Sequence, residues 1–89
     1  MKRDRLKVIY DILKIIKDNK NSIKPTPLLR YSNLSTNSFN DYIRELLERE
    51  FVKQVVDKKD KKVFTLTDKG FQYLDKYRII VGFIDDFGL

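Results

Sequence analysis

The sequence contains no cysteine and no histidine. Without cysteine there is no disulfide staple and no thiolate chemistry. Without histidine the usual zinc sites and the imidazole general bases are excluded as well. Glycine is scarce, and Gly70, Gly82 and Gly88 are too scattered to form a phosphate-cradling loop. Serine and threonine hydroxyls have no histidine to activate them. Glu45 and Glu48 fall at helical spacing among lysines and arginines, which reads as surface ion pairing. The chain is therefore not expected to be an enzyme, nor to need a cofactor, a metal or a small-molecule ligand. Long hydrophobic runs are also missing. The longest, Ile79 to Ile84, falls far short of the ~20 residues of a membrane span. Asp11, Lys14 and Lys17 interrupt any signal-peptide core behind the basic N-terminus. A soluble, cytoplasmic protein is expected.

What is present is a small globular composition. Eighty-nine residues suit one domain, spanning 1–89, and 42% are hydrophobic against 36% charged. The net charge is +6, from 19 Lys+Arg and 13 Asp+Glu. An excess of that size points to a polyanionic partner and says nothing of the fold.

The hydrophobic period predicts a first helix over about Asp4 to Asp18. Leu6, Ile9, Leu13 and Ile16 form one stripe, and Val8, Ile12 and Ile15 a second beside it. A helix apolar on two sides is expected at the centre of the domain. The polar cluster Asp18 to Ser22 stops it. In the next segment Thr26 is a candidate cap and Pro27 suits the first helical position. That short helix gives way to Asn33-Leu34-Ser35, and Ser35 caps a third helix reaching about Arg49. Phe39, Ile43, Leu46 and Leu47 are its inward stripe, with Tyr42 at the margin. Short helix, tight turn and longer helix make a helix-turn-helix. Phe51 to Val56 and Val63 to Leu66 are β-rich, and Asp57 to Lys62 between them reads as a polar hairpin tip. Thr67 then caps a last helix from about Asp68 to Ile84. The expected fold is mainly α with a small β-hairpin, in the order α-α-α-β-β-α of a winged helix-turn-helix.

Lys2-Arg3-Asp4-Arg5-Leu6, Ile9-Tyr10-Asp11-Ile12-Leu13 and Ser32-Asn33-Leu34-Ser35 form an ordered set. Tyr42-Ile43, Leu46-Leu47-Glu48 and Leu66-Thr67-Asp68-Lys69-Gly70 continue it. Through that set the sequence resembles, across nearly the whole chain, small archaeal winged helix-turn-helix DNA-binding proteins, including the Sulfolobus ten-kilodalton chromatin type. The resemblance implies DNA binding, dimerisation through a long C-terminal helix, and no cofactor. The family often has glycine after the third helix, where this sequence has Glu50, so the end of that helix is a point of departure.

In a helix-turn-helix the start of the second helix of the motif enters the major groove. With Phe39 and Ile43 inward, Thr36, Asn37, Asn40, Asp41 and Arg44 face outward. Asn pairs with adenine, Arg with guanine, and Thr offers a hydroxyl and a methyl. Thr36, Asn37, Asn40 and Arg44 are the candidate base-reading residues, whereas Ser35 and Ser38 are explained as cap and first-turn residues. From Ser35 to Glu50 the helix carries Arg44 and Arg49 against Asp41, Glu45, Glu48 and Glu50, a net charge of −2. Attraction to phosphates must come from elsewhere. The hairpin tip has Lys58, Lys59, Lys61 and Lys62 against Asp57 and Asp60, a net +2, and is the expected wing. Lys2, Arg3, Arg5, Lys24 and Arg30 are a second basic source.

Tyr73, Tyr77, Ile80, Ile84 and Phe87 recur at coiled-coil spacing, so Tyr73, Tyr77, Ile80 and Ile84 are the candidate dimer interface. Phe71, Leu74 and Val81 lie on a neighbouring face expected to cover the core. Gly82 and Asp85-Asp86 are expected to fray the helix near Ile84. Two apolar faces on one terminal helix imply a twofold homodimer, or else a fold back onto the first helix of the same chain. The function expected is binding of double-stranded DNA, as a transcriptional regulator or chromatin protein. The alternative is an adaptor that uses the winged-helix surface to hold an acidic protein.

Overall fold

A computed structural model describes residues 3–89. Lys2, one of the terminal cations considered above, lies outside them. The elements are α1 (Arg5–Asp18), α2 (Pro25–Ser32), α3 (Thr36–Glu48), β1 (Val52–Val56), β2 (Lys62–Leu66) and α4 (Asp68–Asp86). This is the winged-helix order read from the sequence.

α1 begins where the Asp4 carboxylate accepts the Lys7 amide at 2.8 Å. Val8, Ile9, Ile12, Leu13 and Ile16 are buried, so both stripes are covered, and α1 packs against α2, α4 and β2. Leu6 departs from its expected place in the inward stripe. It lies half a turn inside the helix start, beyond the edge of the core, and is 53% exposed. Lys20 and Asn21 then take positive φ angles of 61° and 55° and turn the chain back towards β2. The Asn21 side-chain oxygen accepts the Leu66 amide at 2.7 Å. Ile23 and Phe64 exchange main-chain hydrogen bonds at 3.2 and 2.8 Å. β2 is thereby held on both edges, by Ile23 on one and β1 on the other.

α2 starts two residues earlier than Thr26 and Pro27 suggested: Lys24 is the cap residue and Pro25 the first helical residue. The first amides of a helix have no partner within it, so Pro25 and Pro27 both fit in the first turn and leave little there for a side chain to cap. Asn33, at φ 60°, ends α2, and Ser35 opens α3 by accepting the Ser38 amide at 3.2 Å. Phe39, Ile43 and Leu46 are buried, with Tyr42 and Leu47 packed at the margin of the core.

The point of departure at Glu50 has a definite geometry. Glu50 itself adopts the left-handed conformation, φ 62°. Its amide donates to Leu47 O at 3.1 Å and the Phe51 amide to Leu46 O at 3.0 Å. Those are the two bonds of the Schellman ending that glycine usually closes. The neighbouring carbonyls are also met: Thr67 Oγ1 donates to Glu50 O at 2.5 Å and Lys69 Nζ to Arg49 O at 2.8 Å.

The hairpin pairs Val52 with Leu66 through to Val56 with Lys62. β2 buries Val63, Phe64 and Leu66, whereas β1 buries only Val52 and leaves Lys53 to Val56 in solvent. The ribbon therefore projects beyond the core. α4 is capped by Thr67, whose Oγ1 accepts the Gly70 amide at 3.1 Å. Only Leu74 and Gly70 are buried along it, and Phe71 is partly covered. Val81, expected over the core, is 36% exposed, because α4 has by then run past its packing partners. Nor does the helix fray near Ile84; it continues to Asp86. Gly88, at φ 68°, lets its own amide reach Asp85 O at 3.2 Å and the Leu89 amide reach Ile84 O at 2.9 Å, which seals the end.

Candidate nucleic-acid interface

Because α3 turns Phe39, Ile43 and Leu46 into the core, helical spacing forces its other side outward. Thr36, Asn37, Asn40, Asp41 and Arg44 are all exposed. Asp41 and Arg44 approach only to 3.8 Å, with side chains 74% and 70% exposed, so the guanidinium remains available. Ser35 spends its hydroxyl oxygen on the cap, as expected of it. The acidity of the helix is partly answered from within the molecule. Glu45 receives Arg49 at 2.8 Å and is also paired with Arg5 from α1.

The wing tip is an ordered turn. The Asp57 carboxylate accepts the amides of Lys59 and Lys61, each at 2.9 Å. Its own amide donates to Lys61 O at 2.8 Å, and the Asp60 amide donates to Asp57 O at 3.1 Å. Asp60 closes the turn at φ 62°. These backbone donors, the Lys61 amide foremost, hold the Asp57 carboxyl below the usual carboxylate range, and the charges of Lys24 and Lys59 act in the same direction. Lys58, Lys59, Lys61 and Lys62 are exposed, and among the described residues none of them enters an ion pair.

The N-terminal cations behave differently. Arg3 is tied to Asp11 at 2.9 Å and to Ser32 O at 3.0 Å, which links α1 to the end of α2. Arg5 is committed to Glu45, and Lys7 to Asp11 at 2.8 Å. Arg3 and Arg5 thus brace separate elements against one another, and Lys7 pairs within α1. Arg30 and Tyr31, in contrast, stand in solvent, with Tyr31 56% exposed and the Arg30 guanidinium 5.7 Å from its ring centre. Tyr31 stands on the outer side of α2. It lies one residue from buried Ser32 on a helix whose inward face is filled by Leu28 and Ser32, so it points away. A signal for this surface exists in the sequence: from Asn19 to Asn40 there is no acidic residue.

The expected dimer seam divides in two. Its first half meets α1 of the same chain. Tyr73 donates its hydroxyl to Leu6 O at 2.7 Å and sets its ring edge-on to Phe51, with centroids 5.4 Å apart. Tyr77 stacks on Tyr10 at 4.6 Å. Burial pushes the Tyr73 phenol up to about 12 and moves that of Tyr77 upward too. The second half is open: Ile79, Ile80, Phe83 and Phe87 are each more than half exposed, and Ile84 is 38% exposed. A shallow trough of about 380 Å³, floored by Leu6, Phe51, Tyr73, Tyr77 and Ile80, continues this apolar surface. Among the described residues no helix is long and apolar enough to cross a membrane.

Comparison with known proteins matches residues 2–83 to the winged helix-turn-helix family model. Protein MJ0290 of Methanocaldococcus jannaschii is 37% identical over 76 residues, covering 85% of this chain and 33% of the relative. The chain thus spans about a third of that relative's length. Among solved structures, a winged-helix DNA-binding protein from STIV superposes with a TM-score of 0.74 at 21% identity, covering 90% of this chain and 91% of the other. Sso10a-2, a DNA-binding protein from Sulfolobus solfataricus, gives 0.75 at 14% identity, covering 96% and 85%. MepR, a transcription regulator from Staphylococcus aureus, gives 0.76 at 12% identity, covering 89% and 59%. At these identities the solved structures establish the shared fold.

Proposed function

The chain belongs to the winged helix-turn-helix family, and from that premise we propose that it binds double-stranded DNA as a homodimer, as a transcriptional regulator or a chromatin protein. Thr36, Asn37, Asn40 and Arg44 read base edges in the major groove, and Lys58, Lys59, Lys61 and Lys62 neutralise phosphates beside it. The single observation that carries this reading is the contrast between cations. Arg3, Arg5 and Lys7 are consumed in internal ion pairs, while the four wing lysines are exposed and unpaired among the described residues. The proteins of known structure that share the fold include DNA-binding proteins and a transcription regulator.

Residues 1–89 act as one winged-helix unit, and the open half of α4, with Ile80 and Ile84 at its centre, joins two copies; Tyr73 and Tyr77 form the inner border of that interface. A cytoplasmic location fits binding to DNA. The adaptor reading draws on the net acidity of α3, but Arg5 and Arg49 already answer Glu45, which leaves less acid to display. Selection of bound duplexes from a random pool tests the proposal. A regulator enriches a motif and prefers it by about 10³-fold or more over random duplex. A chromatin protein retains duplexes without a motif. Retention of no duplex at low salt overturns DNA binding and favours the adaptor.

A further inference from the structure

Asp57 places a negative charge in the middle of the basic wing, where simple electrostatics makes it an opponent of DNA. Its geometry argues the reverse. One carboxylate oxygen accepts two successive odd-numbered amides of the tip, Lys59 and Lys61, at 2.9 Å each. The main chain of Asp57 adds two more bonds, to Lys61 O and from the Asp60 amide. A loop of four lysines without such a tie has many conformations, and docking it on a duplex would order them at the expense of affinity. Lysines repel one another besides, which opens an untied tip further.

We propose that Asp57 is the positioning residue of the wing: its carboxylate oxygen presets the tip so that Lys58, Lys59, Lys61 and Lys62 meet the phosphate backbone as a fixed ridge. This inference rests on the reading that the wing contacts DNA. Its content is that the acceptor oxygen matters and the charge does not. Asparagine at this position keeps the oxygen and removes the charge, whereas alanine removes both.

The test compares Asp57→Asn and Asp57→Ala by fluorescence anisotropy on a random-sequence duplex, with thermal melts to establish folding. Both variants gain the same unit of net charge, so a purely electrostatic role moves both in the same direction. The expected result separates the two: Asp57→Asn binds as well as the parent or about twofold tighter, and Asp57→Ala binds about fivefold weaker. Equal tightening of the two, or equal weakening, overturns the proposal. Amide exchange in the free proteins gives an independent readout. Protection of the Lys59 and Lys61 amides should persist in Asp57→Asn and vanish in Asp57→Ala; unchanged protection in Asp57→Ala also overturns it. Replacement of all four wing lysines by glutamine tests the underlying reading separately. If that variant binds like the parent, the wing is not on the DNA, whatever the amides report.

Discussion

The Tyr73 hydroxyl donates to the main-chain oxygen of Leu6 at 2.7 Å, joining α4 to the first turn of α1 across 67 positions of sequence. Only the protonated phenol can make this bond, and partial burial reinforces that state, raising its pKa from 10.0 to about 12. In the unfolded chain the phenol ionises near its ordinary value, so the folded form binds its proton more tightly. The stabilisation is therefore complete below about pH 10 and is lost as pH rises from there through about 12. Denaturant midpoints measured between pH 8 and 12 should fall over that window. In Tyr73→Phe the decline should be smaller, with stability at pH 8 lower by about 1 kcal/mol.

Two positions around the end of α3 should respond oppositely to glycine chemistry. Glu50 sits at φ 62°, where a side chain is strained and glycine is not. Glu50→Gly should raise stability by about 0.5–1 kcal/mol, or roughly 2–8 °C in Tm for a domain this small. Gly70 is required for a different reason, since a Cβ there would lie 2.2 Å from Phe51 O. Backbone cannot yield as a flexible side chain can. Gly70→Ala should lower stability by about 2 kcal/mol or more, measured by thermal or urea unfolding.

The open half of α4 makes a prediction about assembly. Ile80→Glu with Ile84→Glu places charge on residues that are 56% and 38% exposed, so the fold of one chain has little to lose. Sedimentation should show the parent as a dimer and the variant as a monomer with an unaltered circular dichroism spectrum. A dimer that survives both changes places the interface elsewhere on the molecule.

These residues also mark how much could be read from the sequence. The element order, the caps at Ser35 and Thr67 and the core face of α3 were legible, because each depends on local spacing or on a side chain bonding within its own turn. The outward face of α3 followed from the inward one. Less legible was anything set by where a partner element ends. Leu6 and Val81 keep the apolar period of their helices, yet lie beyond the surface that would cover them. Tyr31 looks like a core aromatic until Leu28 and Ser32 are seen to fill the inward face. The pairing of Arg3 and Arg5 with acids on other parts of the fold depends on tertiary approach and has no local signature. Two misreadings had signals in plain view. Pro25 was available to start α2, and Gly88 to close α4.

The most direct measurement is duplex affinity as a function of salt, for the parent and for the variant with Lys58, Lys59, Lys61 and Lys62 changed to glutamine. Phosphate neutralisation makes log affinity fall linearly with log salt, by about 0.9 per contact. The parent should show a steep line, and the variant a line shallower by about 0.9 for each lysine that touches DNA, with weaker binding to every duplex. Asn40→Ala and Arg44→Ala should leave that slope nearly unchanged while relaxing preference at single base pairs, at about 1–3 kcal/mol each. Coincident lines for parent and lysine variant would contradict the account at its centre.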